Sequence, residues 1–310
     1  MPGLRLLVFI GLMSVMPLLM AFELVPQRMQ FEDGGSALYY VFDKHLAAAE
    51  DTEAALVNVM FVVAGAGCRS MGSILPAYFT GFEGESGRSR IFVLQKRFIA
   101  ALSDGQRCSA EFVRADHLSQ WRADQLAFIR ARLAELGGAP QRVVLFGISE
   151  GAELLPLLAA ALPQTTHLVL LSHSGMNAGT VYRALAAEYP HMARGWQQLQ
   201  AALALRPADP TQLLIHGRSW LYWDEILNLP QSQGLLESNL PILLGVGEAD
   251  SLIPPHSLDK LQQLFASAGS QRLVIRGFPQ ADHGLQGPYR NYLADFMWQF
   301  ELWLQEGNSP

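Results

Sequence analysis

Apolar residues come along this chain in short runs, and polar, glycine-rich or helix-patterned stretches separate them. Residues 38–42, 57–64, 91–94, 142–146, 167–171, 241–246 and 272–275 read as strands, several of them apolar almost throughout, as strands buried on both faces are. Residues 118–136 carry Leu126, Ile129, Leu133 and Leu136 at helical spacing, with Arg122, Arg130 and Arg132 on the other faces. That helix stops at Gly137-Gly138-Ala139-Pro140. Residues 257–268 predict a second helix, and Leu293, Phe296, Met297, Phe300 and Leu304 form one apolar face of a closing helix. Alternation of this kind predicts an α/β fold with a mostly parallel central sheet flanked by helices. Between residues 174 and 239 it lapses into helix-forming stretches bearing Trp196, Trp220, Tyr222 and Trp223, which read as a helical cap inserted between two strands of one sheet. The stretch FEGESGRSR (82–90) is rich in glycine and charge and reads as a mobile loop.

The first residues add a different pattern. Arg5 precedes an uncharged apolar run from Leu6 to Phe22, so residues 1–22 read as a signal peptide or an N-terminal membrane anchor. Pro17 breaks the run shortly before a cut after Ala21, although Leu19 is large for such a site. The expectation is an exported chain, periplasmic or secreted, with one domain over residues 23–310. Half of the 310 residues are apolar, enough for a sizeable core. The net charge of −6 and only three dispersed lysines, Lys44, Lys96 and Lys260, leave no basic stripe for nucleic acid. The two cysteines are Cys68 and Cys108. In an exported protein they are candidates for a disulfide whose loop closure contributes about 3 to 5 kcal/mol; the alternative is two buried thiols. Two cysteines without a histidine cluster make no zinc site, so neither metal nor organic cofactor is expected.

The chemistry centres on VVLFGISEGAEL (143–154), where a strand runs into a serine flanked by Gly147 and Gly151, followed by a helix from Glu150 to Leu162 that Pro156 should bend. With 27 glycines in the chain, Gly-x-Ser-x-Gly arises by chance often enough that context must decide between a turn serine and a nucleophile. A serine hydroxyl needs a base to attack a carbonyl, and the base needs an orienting acid. Ligands of open α/β sheets bind beyond the carboxyl ends of strands, so both partners belong on loops after strands. GEADSLIPP follows one strand and offers Asp250; RGFPQADHGL follows the next and offers His283. Glu248 and Asp282 are rivals to Asp250. Among the other histidines, His45, His117, His191, His216 and His256 fall in loops, cap or helix starts, His167 opens a strand at the wrong end, and His173 ends one at the favourable edge. His173 is therefore a candidate pocket residue and the alternative base.

Taken together, the strand-Gly-Ile-Ser-Glu-Gly-helix elbow, the Gly-Glu-Ala-Asp-Ser-Leu-Ile-Pro loop, the late Asp-His-Gly and the loop Ala64-Gly65-Ala66-Gly67 resemble the α/β-hydrolase superfamily. "GAGCRS" and "SWLYWDEIL" resemble exported bacterial members of the serine aminopeptidase and dienelactone-hydrolase groups. The resemblance implies an α/β-hydrolase fold, a triad of Ser149, His283 and Asp250, and an oxyanion hole made by the amides of Glu150 and Ala66, with Gly67 as the second choice. It differs from many relatives in having Ala64 where they carry histidine; a Cys68–Cys108 bridge would then support that loop.

Three functions remain open on this reading. One is a serine hydrolase cleaving esters or thioesters through an acyl-enzyme. Another keeps the triad for a peptide or amide, with Glu150, Asp224 and Glu225 meeting a free amine. The last is a binding protein that has kept the fold without catalysis, which the complete set of three residues disfavours. Trp220, Tyr222 and Trp223 are candidates for the substrate wall, or else cap core. The expected partner is a small ester, thioester or short peptide, with a membrane met only through the N-terminal segment.

Overall fold

The computed structural model describes residues 24–46 and 56–306. The chain opens with β1 (Gln27–Gln30), β2 (Ser36–Lys44), β3 (Asn58–Val63), α1 (Leu75–Tyr78) and β4 (Ser89–Leu94). Helices α2 (Ala110–Ala115) and α3 (Leu118–Ala134) lead to β5 (Arg142–Ile148), a 3₁₀ segment (Ser149–Leu154), α4 (Leu155–Ala161) and β6 (His167–Leu171). Four helices and a small ribbon follow: α5 (Ala178–Glu188), α6 (Pro190–Leu203), β7 (Leu214–Ile215), β8 (Arg218–Ser219), α7 (Trp220–Leu227) and α8 (Gln231–Glu237). The chain then returns through β9 (Ile242–Gly247), α9 (Ser257–Ser267), β10 (Leu273–Phe278) and α10 (Leu293–Glu306).

One eight-stranded sheet runs in the order β1-β2-β4-β3-β5-β6-β9-β10. Its β1–β2 and β2–β4 pairs are antiparallel and the others parallel. Every residue of β3, β5 and β9 is buried, as befits central strands covered on both faces. Alternate residues feed two cores. Phe61, Val63, Val143, Leu145, Leu168 and Leu170 meet α3 and α4 on one face, while Met60, Val62, Val144, Phe146, Val169 and Leu171 meet α10 on the other. Register brings the strand ends level: Val63 lies opposite Gly147, Ile148 opposite Leu171, Leu171 opposite Gly245, and Gly247 opposite Phe278. The loops after β3, β5, β6, β9 and β10 therefore leave from one edge.

Several expectations need correction. Strand β1 has the sequence QRMQ, polar and largely exposed, and carries no apolar run to announce it. The buried face of α3 is wider than the stripe expected for it: Leu118, Trp121, Gln125, Phe128 and Ile129 are buried, and Leu126, Leu133 and Leu136, half-buried, pack against the same core. Arg132 is not on a free face: its guanidinium lies over the rings of Tyr39 and Phe128. Residues 82–90 are pinned, because the buried Glu301 accepts the amides of Glu83 and Ser86 at 2.7 and 3.0 Å. Pro156 does not bend a helix; it sits in the first turn of α4, where its missing N–H costs nothing, and the preceding turn is 3₁₀. Among the described residues no helix is long and apolar enough to cross a membrane. The leader read at residues 1–22 lies outside the described residues.

Candidate active site

The elbow after β5 is built by close approach. A Cβ on Gly147 would lie 2.4 Å from Ala152 Cα, and one on Gly151 would lie 2.1 Å from the Val63 carbonyl oxygen, so only glycine lets the chain turn this sharply against β3. Ser149 is held at φ 51°. That left-handed conformation costs a non-glycine residue about 1 to 3 kcal/mol and is maintained only where the surroundings impose it.

Ser149 Oγ is 2.9 Å from His283 Nε2, and His283 Nδ1 is 2.7 Å from Asp250 Oδ2. Because the carboxylate can only accept, Nδ1 carries the proton toward Asp250 and leaves Nε2 free to accept from the serine hydroxyl. The other oxygen of Asp250 accepts the amide of Leu252 at 2.9 Å, and the carboxylate is fully buried while His283 is about one-third exposed (36%). The two loops are stitched together: Ala249 N–H donates to the Ala281 carbonyl at 2.9 Å and Glu248 N–H to that of Phe278 at 3.0 Å. The rivals are placed elsewhere. Asp282 accepts the amides of Gly284 and Gln286 within its own turn, and Glu248 is exposed. His173 does not reach Ser149; its Nε2 lies 3.1 Å from Glu153 Oε1, and its Nδ1 accepts the Gly175 amide at 2.9 Å.

Two clefts meet at Ser149. One, of about 220 Å³, runs under the cap and is lined by Glu150, Glu153, His173, Tyr182, Tyr222 and Ile226 among others. The second, of about 430 Å³, opens on the far side toward Gly67, Arg69, Tyr78 and Lys96. Ala66, Ser149, Ser172, Leu252 and His283 line both. The loop bearing Ala66 and Gly67 is clamped. Cys68 and Cys108 are joined in a disulfide with Cα atoms 5.6 Å apart, Ser103 Oγ donates to the Cys68 carbonyl at 2.7 Å, and Gln95 Oε1 accepts the Met71 amide at 2.8 Å. Closing a loop of sequence separation 40 in this way contributes about 4 kcal/mol on the chain-entropy account.

Glu150 does not present a free carboxylate to the cleft. Lys96 Nζ stands 2.7 Å from both Glu150 Oε1 and Asp116 Oδ1. Arg218 pairs with Asp116 and also reaches Glu150 Oε2 at 3.3 Å, and the Tyr222 hydroxyl donates to that same oxygen at 2.6 Å. Trp121 lies under the Lys96 ammonium and the Tyr222 ring under the Arg218 guanidinium. Burial alone would raise the Glu150 pKa, but Lys96 and then Arg218 override it and hold the carboxyl at about 2. Two cations therefore balance two anions, and the cap residues Arg218 and Tyr222 are tied to the residue next to Ser149.

Of the cap aromatics, Tyr222 lines the cleft as expected and the two tryptophans are reassigned. Trp223 donates to the Ile215 carbonyl at 2.8 Å and Trp220 to that of Leu203 at 3.3 Å, and neither lines the clefts at Ser149. Helical spacing on α7 turns Tyr222 and Ile226 toward Ser149 and leaves the tryptophans to the cap's interior and rim. Asp224 and Glu225 are likewise engaged away from the clefts, with Asn228 and with the Ser119 amide. Lys96, Asp116 and Arg218 carried no sequence signal, since they lie far apart in the chain. Glu153 did carry one: a second carboxylate, after Glu150, at the start of an otherwise apolar elbow helix. Among the described residues no three His, Cys, Asp or Glu side chains are gathered as a metal site requires.

Neither a protein-family model nor a curated protein matches the sequence. Solved structures do match in shape. Est1E from Butyrivibrio proteoclasticus superposes with a TM-score of 0.59 at 14% identity, covering 91% of this chain and 99% of that one. The esterase domain of a Rhodothermus marinus protein gives 0.55 at 15%, covering 91% and 98%. Proline iminopeptidase of Mycobacterium smegmatis gives 0.52 at 17%, covering 90% and 99%. At such identities the likeness is one of architecture: the chain has the α/β-hydrolase fold.

Proposed function

We propose that the protein is a serine hydrolase that cleaves an ester or thioester through an acyl-enzyme. The observation that carries this reading is the unbroken chain Ser149 Oγ, His283, Asp250, with links of 2.9 and 2.7 Å, at the junction of two clefts. In this reading His283 takes the serine proton as Oγ attacks the carbonyl, then returns it to the leaving group, a service worth about 10² to 10⁴ in rate. Asp250 holds the imidazole in the required tautomer and stabilises the imidazolium. The amides of Glu150 and Ala66, with Gly67 as the alternate, receive the oxyanion, at about 3 to 4 kcal/mol for each donor. Water then attacks the acyl-enzyme by the same route in reverse.

One observation favours a second reading, in which the acyl group comes from an amide or peptide: a carboxylate, Glu153, lines the cap-side cleft. Structural neighbours of both kinds share the fold, an esterase domain and an iminopeptidase. Kinetics on p-nitrophenyl esters of graded chain length, set beside aminoacyl p-nitroanilides, separate the two. We expect ester turnover to exceed anilide turnover, and Ser149→Ala to lower it by about 10⁴-fold or more. Turnover that survives in Ser149→Ala would contradict this chemistry, and a wild type that turns over neither substrate class would leave the fold as that of a binding protein. We further propose an exported location, supported by the apolar run at residues 6–22 and by the disulfide. Fractionation of expressing cells tests it, and retention of the mature chain in the cytoplasm would contradict it.

A further inference from the structure

Every oxygen of the Glu150 carboxylate is engaged, whereas Glu153, on the same 3₁₀ segment, is not so provided. Glu153 is 5% exposed and lines the cap-side cleft together with Ser149 and His283. Its Oε1 accepts from His173, but its Oε2 is buried without a hydrogen-bond partner. His173 does not balance the charge either: Nδ1 accepts the Gly175 amide, so the ring keeps one proton and that proton is spent on Oε1. No lysine or arginine among the described residues pairs with Glu153. The remaining walls are largely apolar, including Val181, Leu185, Met192 and Ile253. Burial first, then the charge of Glu150 and, last, that of Glu153, opposed by Arg218, push the Tyr182 phenol in the same cleft up to about 12.

A buried carboxylate oxygen lacking both a donor and a counter-charge is costly unless something supplies them. A protonated amine supplies both, and a hydroxyl only the first. Resting on the serine-hydrolase reading above, we propose that Glu153, oriented by His173, is the subsite for an ammonium group on the acyl portion of the substrate, so that the preferred substrates are aminoacyl rather than plain acyl compounds. The amine-holding role that sequence reasoning gave to Glu150 thus passes to the carboxylate one turn further on, because Glu150 is already saturated by Lys96, Arg218 and Tyr222.

The test has a binding arm and a kinetic arm. Calorimetric titration of the Ser149→Ala protein with n-butylammonium and with n-butanol should show the ammonium binding about tenfold more tightly, and adding Glu153→Gln should bring the two within about threefold. Kinetics of the wild type on p-nitrophenyl hexanoate and its α-amino and ω-amino derivatives should show about a tenfold higher kcat/KM for one of the amino esters, a preference that Glu153→Gln abolishes. Equal binding of butanol and butylammonium, or a preference that survives Glu153→Gln, overturns the proposal. The binding arm needs no turnover, and the Ser149→Ala protein alone already tests the ammonium preference should the double mutant fail to fold. Ammonium selectivity without esterolysis would support the subsite and count against the hydrolase reading; esterolysis without amine preference would do the reverse.

Discussion

The two flanks of Ser149 are finished to different degrees. On one, Lys96, Asp116, Glu150, Arg218 and Tyr222 close on one another with charges balanced, and a disulfide ties down the neighbouring loop. On the other, Glu153 and His173 share a single bond and one carboxylate oxygen is left bare. Both regions are buried and both are polar, so burial cannot explain the difference. A satisfied network fixes positions, here those of the elbow and the cap; an unsatisfied one invites a ligand to complete it.

The contrast can be broken most severely at Lys96. Lys96→Met leaves Asp116 and Glu150 to share Arg218, and a buried pair robbed of one partner loses about 3 to 5 kcal/mol, to be read as a lower urea midpoint. An unchanged midpoint would mean the cluster contributes nothing to holding the fold. Acid sharpens the same contrast. The folded-state pKa of Glu150 lies at about 2 against an ordinary 4.5, so its contribution is present above pH 4.5 and is lost as pH falls toward 2. That amounts to about 3 kcal/mol, which should vanish from the acid limb of the stability curve in Glu150→Gln. His167 does not confuse the reading: burial and then Arg142 lower its pKa from 6.5 to about 4, so it destabilises the fold in the higher window as pH falls. The smallest effect belongs to the open flank. Glu153→Gln removes one oxygen that has no partner, so stability should change by about 1 kcal/mol or less in the same urea experiment. A loss as large as that at Lys96 would make Glu153 a structural residue.

How much of this was legible depended on whether the signal was local. Apolar runs such as Val143–Phe146 and His167–Leu171 announced buried strands because a central parallel strand needs no polar face. The glycines around Ser149 and the polar loops after β9 and β10 drew attention to residues that come within hydrogen-bond reach, because strand ends set level by register leave few other places to look. What stayed hidden was long-range. Strand β1 is polar and depends on β2 for its existence. Residues 82–90 are ordered by Glu301, far along the chain. The α3 stripe covers only part of the face that packs, because Tyr39 and the sheet also draw Trp121 and Phe128 into the core. Trp220 and Trp223 drew attention by size, although the turn of α7 gives Tyr222 and Ile226 to the cleft.

The central claim is that the Ser149 hydroxyl is made nucleophilic by His283 and Asp250. Treating the purified protein with a fluorophosphonate probe and mapping the adduct by peptide mass spectrometry tests it most directly. The account predicts one modified residue, Ser149, with labelling abolished in Ser149→Ala and strongly slowed in His283→Ala. A protein that stays unlabelled, or one labelled at another residue with Ser149 untouched, would contradict it.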